Sequence, residues 1–125
     1  MRSLDRFHLT LRHDRFVIAA IGHRDLEARA DAGLAFDTVD RNASVNGRAL
    51  ALSTHELGVL EVLIQRFGRV VSKEQMVEQL YNYDKGVSHN AIEVYVHRLR
   101  KKIAGAGVTV KTVYGRGYTL DYMSH

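Results

Sequence analysis

Apolar positions recur with helical spacing in three blocks of the chain, and they alternate in the segments on either side. In STHELGVLEVLIQRFG, residues 53–68, Leu57, Leu60, Leu63, Ile64 and Phe67 share one helical face. Ser53 and Glu56 stand at capping-box spacing, and Gly68 supplies a stop. After a short extended link at Val70 and Val71, SKEQ at 72–75 opens a second helix with a second capping box. Met76, Val77, Leu80 and Tyr81 form its apolar stripe, and the polar NYDKG at 82–86 is a loop.

The third block, NAIEVYVHRLRKKI at 90–103, has two periods at once. Ile92, Val94 and Val96 alternate with Glu93, Tyr95 and His97 as in a half-buried strand, whereas Ile92, Val96, Leu99 and Ile103 follow a helix. A strand of that length would be unusual and would put Arg100 and Lys102 on the face of Ile92. The spacing therefore predicts a helix, capped by Ser88, running to about Ala104 and stopped by Gly105 or Gly107. Its C-terminal turns are crowded with cations, as the macrodipole favours. Asn90, Val94, His97, Arg98 and Lys101 then form the stripe opposite the apolar face, and Val94 points outward.

The flanking segments are β-like. LAFDTVDRNASVNGRALALS, from Leu34, predicts three or four short antiparallel strands by Leu52, with Asn46-Gly47 as a type I′ turn. VTVKTVYGRGYTLDY at 108–122 reads as a hairpin around Gly115-Arg116-Gly117. Upstream, Phe7, Leu9 and Leu11 alternate and are followed by FVIAAIG and HRDLEARADAG. Residues 1–32 are either two short strands and a linker or an unstructured lead, and they remain unassigned beside a domain at 33–125.

Composition narrows the function classes. The 125 residues are 46% hydrophobic and include no Cys, which leaves no disulfide framework, thiolate nucleophile or Cys-based zinc site. The longest apolar run, FVIAAI, is far short of the ~18 residues of a membrane span, so the expected location is the cytoplasm. Net charge is +4, and it is unevenly distributed: residues 66–118 hold ten Lys or Arg against four Asp or Glu. A basic second half fits a polyanion, although on charge alone a solvated basic surface is the better explanation.

Joined to the element order, the charge acquires a shape. Sheet, two helices, loop, third helix and hairpin make an α+β winged helix-turn-helix. On the outer stripe Arg98 can fork onto guanine, Asn90 onto adenine, and Val94 can touch a thymine methyl. Arg100, Lys101 and Lys102 suit phosphates, and Arg116 at the hairpin tip can reach a neighbouring groove or backbone.

The segments LSTHELGVLEVLIQRFGRVVSKEQMVEQLY, NAIEVYVHRLRKKI and TVYGRGYTL together resemble the winged-helix output domain of OmpR/PhoB-type response regulators, over residues 33–122. The resemblance implies a four-stranded N-terminal sheet, three helices and a C-terminal hairpin wing. It implies a domain that binds promoter DNA, as tandem copies on direct repeats, and contacts RNA polymerase through the loop before the third helix. Carried over by motif, Asn90, Val94, His97 and Arg98 are major-groove residues, and Arg100 and Lys101 lie in the helix's basic end. Thr112, Tyr114 and Tyr118 match wing positions near backbone or minor groove, and Asn82, Tyr83, Asp84, Lys85, Gly86 and Val87 match the polymerase loop. Tyr114 stands where the family often has Arg, with Arg116 restoring a charge two residues on. Residues 1–32 are too few for the family's phosphorylated receiver, so the chain reads as an effector without it, a truncated product or a fragment, and Asp5, Asp14 and Asp25 are not assigned as phosphoacceptors.

Plainer roles compete at each position. Arg98 alone is an ordinary exposed helix arginine; its company makes it a base reader. His97 suits phosphate or solvent equally. Tyr95 lies beside the buried stripe and is assigned to packing, and Tyr81 suits packing at least as well as a phosphate. Glu56 and Glu61 are capping or helix-surface carboxylates. No metal spacing, phosphate-binding glycine loop or acid–base pair is present, so neither cofactor, metal nor catalysis is expected. The reading is sequence-specific double-stranded DNA binding and transcription regulation in a two-component system. The alternatives are a winged-helix protein-interaction module, a fragment with weak DNA binding, or an enzyme.

Overall fold

The computed structural model describes the backbone of residues 7–12 and 15–20, and residues 33–37, 39–81 and 85–123 in full. Its backbone forms two compact units. Of the described residues, the first holds those up to Ala51 together with 103–108 and 122–123; the second holds those within 52–102 and 109–121.

In the first unit, β1 (Phe7–Arg12), β2 (Arg15–Ala20), β3 (Leu34–Asp37), β4 (Asn42–Val45) and β5 (Arg48–Ala49) form one antiparallel sheet in sequence order. Three of these strands fall in 34–52, as the alternation predicts. Within the first 32 residues, 7–12 and 15–20 form two strands, and β2 pairs with β3, with Phe16 opposite Phe36 and Ile18 opposite Leu34; the linker expected after them lies outside the described residues. The sheet thus has five strands where the family resemblance implies four. Asn46 and Gly47 both have positive φ, +51° and +85°, the I′ geometry that joins strands of right-handed twist. Asn46 also ties the unit internally: its Oδ1 accepts from Gly33 N at 2.7 Å and its Nδ2 donates to Gly105 O at 3.0 Å. Leu34, Phe36, Val45, Ile103 and Val108 are buried.

The second unit contains α1 (Thr54–Gln65), α2 (Lys73–Tyr81) and α3 (His89–Lys102). The predicted caps all form. In the first box Ser53 Oγ accepts from Glu56 N, and Glu56 Oε1 accepts from Ser53 N, both at 3.1 Å. In the second, Ser72 Oγ accepts from Gln75 N at 3.1 Å and Gln75 Oε1 from Ser72 N at 2.8 Å; Ser88 Oγ accepts from Ala91 N at 3.2 Å. Each bond satisfies a donor that the first helical turn leaves open. Gly68 ends the α1 segment with φ +82°.

α1 is buried more broadly than one stripe: Gly58, Val59 and Val62 are interior along with Leu60, Leu63 and Ile64, whereas Leu57 is half-exposed. The signal was available, since Glu61 is the sole polar residue between Leu57 and Ile64, and a helix apolar all round is a buried one. α2 presents Met76 and Leu80 to the interior, but Tyr81 is 51% exposed and leaves the predicted stripe. α3 buries Ile92, Val96 and Leu99, as its spacing predicts.

β6 (Val108–Val113) and β7 (Gly117–Tyr122) form the C-terminal hairpin. Close to its turn, β7 is fixed to the link between α1 and α2, where Val71 N donates to Tyr118 O at 2.7 Å and Tyr118 N to Val71 O at 2.9 Å. Gly117 makes this approach possible: its φ is +138°, and a Cβ there would stand 2.1 Å from Val71 O.

Candidate nucleic-acid interface

α3 is two-sided because its residues repeat at 3.6 per turn and only one flank meets other helices. Opposite the buried Ile92, Val96 and Leu99, the side chains of Asn90, Val94, His97, Arg98 and Lys101 are all exposed. Val94 remains 44% exposed. An open valine amid amide, imidazole and guanidinium groups provides an apolar contact alongside donors and acceptors, the mixture that base edges in a major groove match. Arg100, Lys101 and Lys102 occupy the last turn, where cations complement the helix carbonyls.

The basic end of α3 does not act as one cluster. Lys102 Nζ donates to Glu56 Oε1 at 2.8 Å, so Lys102 braces the start of α1. Glu56 is itself buried, 2% exposed, and belongs to the interior; of its two expected places, cap and helix surface, it occupies the cap alone. Burial alone would raise its pKa. Hydrogen bonds from Lys102 and the Ser53 amide, with the charges of Lys102 and Arg98, outweigh that and hold the carboxyl below its ordinary value. Arg100 is half-exposed and turns toward β6, its Nε donating to Val110 O at 2.7 Å and its Nη2 to Thr112 Oγ1 at 3.2 Å.

At the hairpin tip Tyr114 is 94% exposed, with Gly115 and Arg116 open beside it. Thr112 is exposed, though its hydroxyl accepts from Arg100. Tyr118 is different. It is 6% exposed, with its backbone bonded to Val71 just past the turn. Local spacing does not separate it from Tyr114, because both flank the same glycines.

α3, the start of α2 and the hairpin enclose a groove of about 580 Å³ whose wall includes His97, Arg100, Tyr114 and Arg116. Lys73 and Glu93 also line it, and the hydrogen bond that Lys73 donates to Glu93 raises the Lys73 pKa above its ordinary value. Tyr95 packs, its ring stacked on His55 with centroids 5.0 Å apart and planes 13° from parallel.

Of the polymerase loop, Asn82, Tyr83 and Asp84 lie outside the described residues. Lys85 and Gly86 are exposed and Val87 is half-buried. The Lys85 ammonium lies 5.8 Å from the Tyr81 ring centroid, which gives that exposed tyrosine a cation partner. Among the described residues no cluster of three His, Asp or Glu could hold a metal, and no helix is long and apolar enough to cross a membrane.

Comparison with known proteins gives a consistent result. Residues 47–120 match the family described as transcriptional regulatory protein, C terminal. Over 77 residues the chain is 43% identical to the transcriptional regulatory protein TctD of Salmonella typhimurium, covering 62% of this chain and 34% of TctD. The chain therefore spans about a third of the length of that relative. Among solved structures, the DNA-binding domain of CpxR from Escherichia coli has a TM-score of 0.62 at 28% identity, covering 74% of this chain and 93% of that one. The RstA DNA-binding domain of Klebsiella pneumoniae, in complex with the RstA box, has a TM-score of 0.61 at 27% identity, covering 72% and 92%.

Proposed function

The chain belongs to the family of C-terminal domains of transcriptional regulatory proteins, the OmpR/PhoB-type winged helices, and on that premise we propose that it binds double-stranded DNA by sequence and regulates transcription. The observation that carries the proposal is the exposed stripe of α3, in which Asn90, Val94, His97 and Arg98 lie open opposite a fully buried flank. α3 enters a major groove. Asn90, Val94 and Arg98 read base edges, His97 and Lys101 approach phosphates, and Tyr114 and Arg116 extend the contact at the wing. The RstA domain, solved in complex with its box, supports DNA binding by a chain of the same fold.

The chain works in the cytoplasm as the output domain of a two-component response regulator. Two copies occupy repeated half-sites, and residues 82–87 face RNA polymerase. The relatives' names as transcriptional regulatory proteins and response regulators support this wider role. The reading assigns it no catalysis and no cofactor.

Selection of bound fragments from random duplex DNA tests the core of the proposal and reports half-site spacing. Affinity for a selected fragment should fall steeply with salt, with a log–log slope near one unit per phosphate contact, about 0.9 in duplex DNA. A nearly flat response, with no enriched sequence, would overturn it in favour of a protein-binding winged helix.

A further inference from the structure

Resting on the DNA-binding reading above, we propose that Arg100 is a positioning residue that sets the pose of the wing against α3, and is not one of the chain's phosphate contacts. The basic end of α3 divides by partner. Lys101 is exposed, whereas the Arg100 guanidinium is directed along β6, where Nε donates to Val110 O at 2.7 Å and Nη2 to Thr112 Oγ1 at 3.2 Å. Val110 and Thr112 are two residues apart and so face the same side of the strand. Two bonds from one planar group to two points on one strand fix its tilt as well as its distance, which a lysine's point charge cannot do.

The length of the wing makes tilt consequential. Tyr114 lies two residues past the outer anchor at Thr112, about 7 Å along an extended strand. A tilt of roughly 10° at the Arg100 anchor displaces the tip by about 1 Å, enough to stretch a hydrogen bond made there beyond its range. Val71 holds the opposite strand at Tyr118, so Arg100 and Val71 together grip both strands of the hairpin. The open tip residues Tyr114 and Arg116 project beyond both grips.

Charge and fork separate in the variant Arg100→Lys. On a labelled fragment recovered by the selection, Arg100→Lys and Arg100→Ala should both lose affinity by about tenfold or more, the equivalent of one hydrogen bond to a charged group. Their log–log salt slopes should match the wild type. If Arg100→Lys binds like wild type while Arg100→Ala loses about 0.9 slope units, the residue is a phosphate contact and the inference falls. Amide exchange on the free 125-residue chain gives an arm that needs no DNA. In Arg100→Lys, and more weakly in Thr112→Val, residues 109–118 should exchange faster with α1 unchanged. Unaltered wing exchange, or faster exchange throughout, overturns the tether. A wild-type chain that enriches no duplex overturns the DNA reading itself, while the exchange arm still judges whether Arg100 holds the wing.

Discussion

Replacing Gly117 by alanine should detach the hairpin from the link before α2. The new Cβ would stand 2.1 Å from Val71 O and 2.8 Å from both Val71 C and Ser72 Cα. All three are backbone atoms, so no side-chain rotation relieves the clash; β7 must move away from the link before α2. That movement breaks the Val71–Tyr118 pair, two hydrogen bonds of 2.7 and 2.9 Å. Each is worth about 0.5–1.5 kcal/mol net, and holding a non-glycine residue at the observed φ of +138° adds about 1–3 kcal/mol. The expected loss is therefore about 2–6 kcal/mol. Gly115→Ala is the matched control: φ there is +74°, but a Cβ would meet nothing within 4 Å. Its cost is the left-handed backbone alone, about 1–2 kcal/mol. Urea unfolding followed by far-UV circular dichroism compares the two, since the chain has no Trp to report by fluorescence. With a urea slope of about 2 kcal/mol per molar, the Gly117→Ala midpoint should fall at least about 0.5 M further than that of Gly115→Ala. Equal midpoints would refute the close approach, because backbone conformation would then account for both losses.

The Glu56–Lys102 pair predicts an acid dependence. A carboxyl whose folded pKa lies below its unfolded value contributes stability above the unfolded value and loses it as pH falls through the folded one. The chain should therefore weaken below about pH 4.5, and Glu56→Gln, which keeps the cap geometry but not the charge, should flatten that decline in thermal melts across pH 3–6. At pH 7 the same variant should cost about 1–2 kcal/mol, less than a fully buried pair because Lys102 is 38% exposed; no loss at pH 7 would mean that the pair is idle. Ile92→Ala, at a fully buried position of α3, should cost about 2–5 kcal/mol in urea unfolding. Arg98→Ala should lose about 1–3 kcal/mol on a selected DNA site and relax base preference there, as read by competition binding; equal loss on random duplex would deny it a base-reading role.

What the sequence determined by itself was local. The three caps, the Asn46-Gly47 turn, the glycine stop after α1 and the buried flank of α3 all follow from residues within about a turn of one another, where spacing decides which groups can meet. The exposure of Val94 was legible for the same reason, since a helix that buries Ile92, Val96 and Leu99 must turn position 94 away. Tertiary structure decided what each face meets. Lys102 finds Glu56, 46 residues upstream, and Arg100 finds β6, ten residues on; no periodicity encodes such partners, and a long cationic side chain can serve solvent, phosphate or protein equally well from the same helical position. Tyr114 and Tyr118 look alike in sequence, yet one is open and the other, bridged through its backbone to Val71, is buried. A repeat within the chain fixes direction, but burial and partnership require a second segment to arrive, and only the folded backbone specifies which one does.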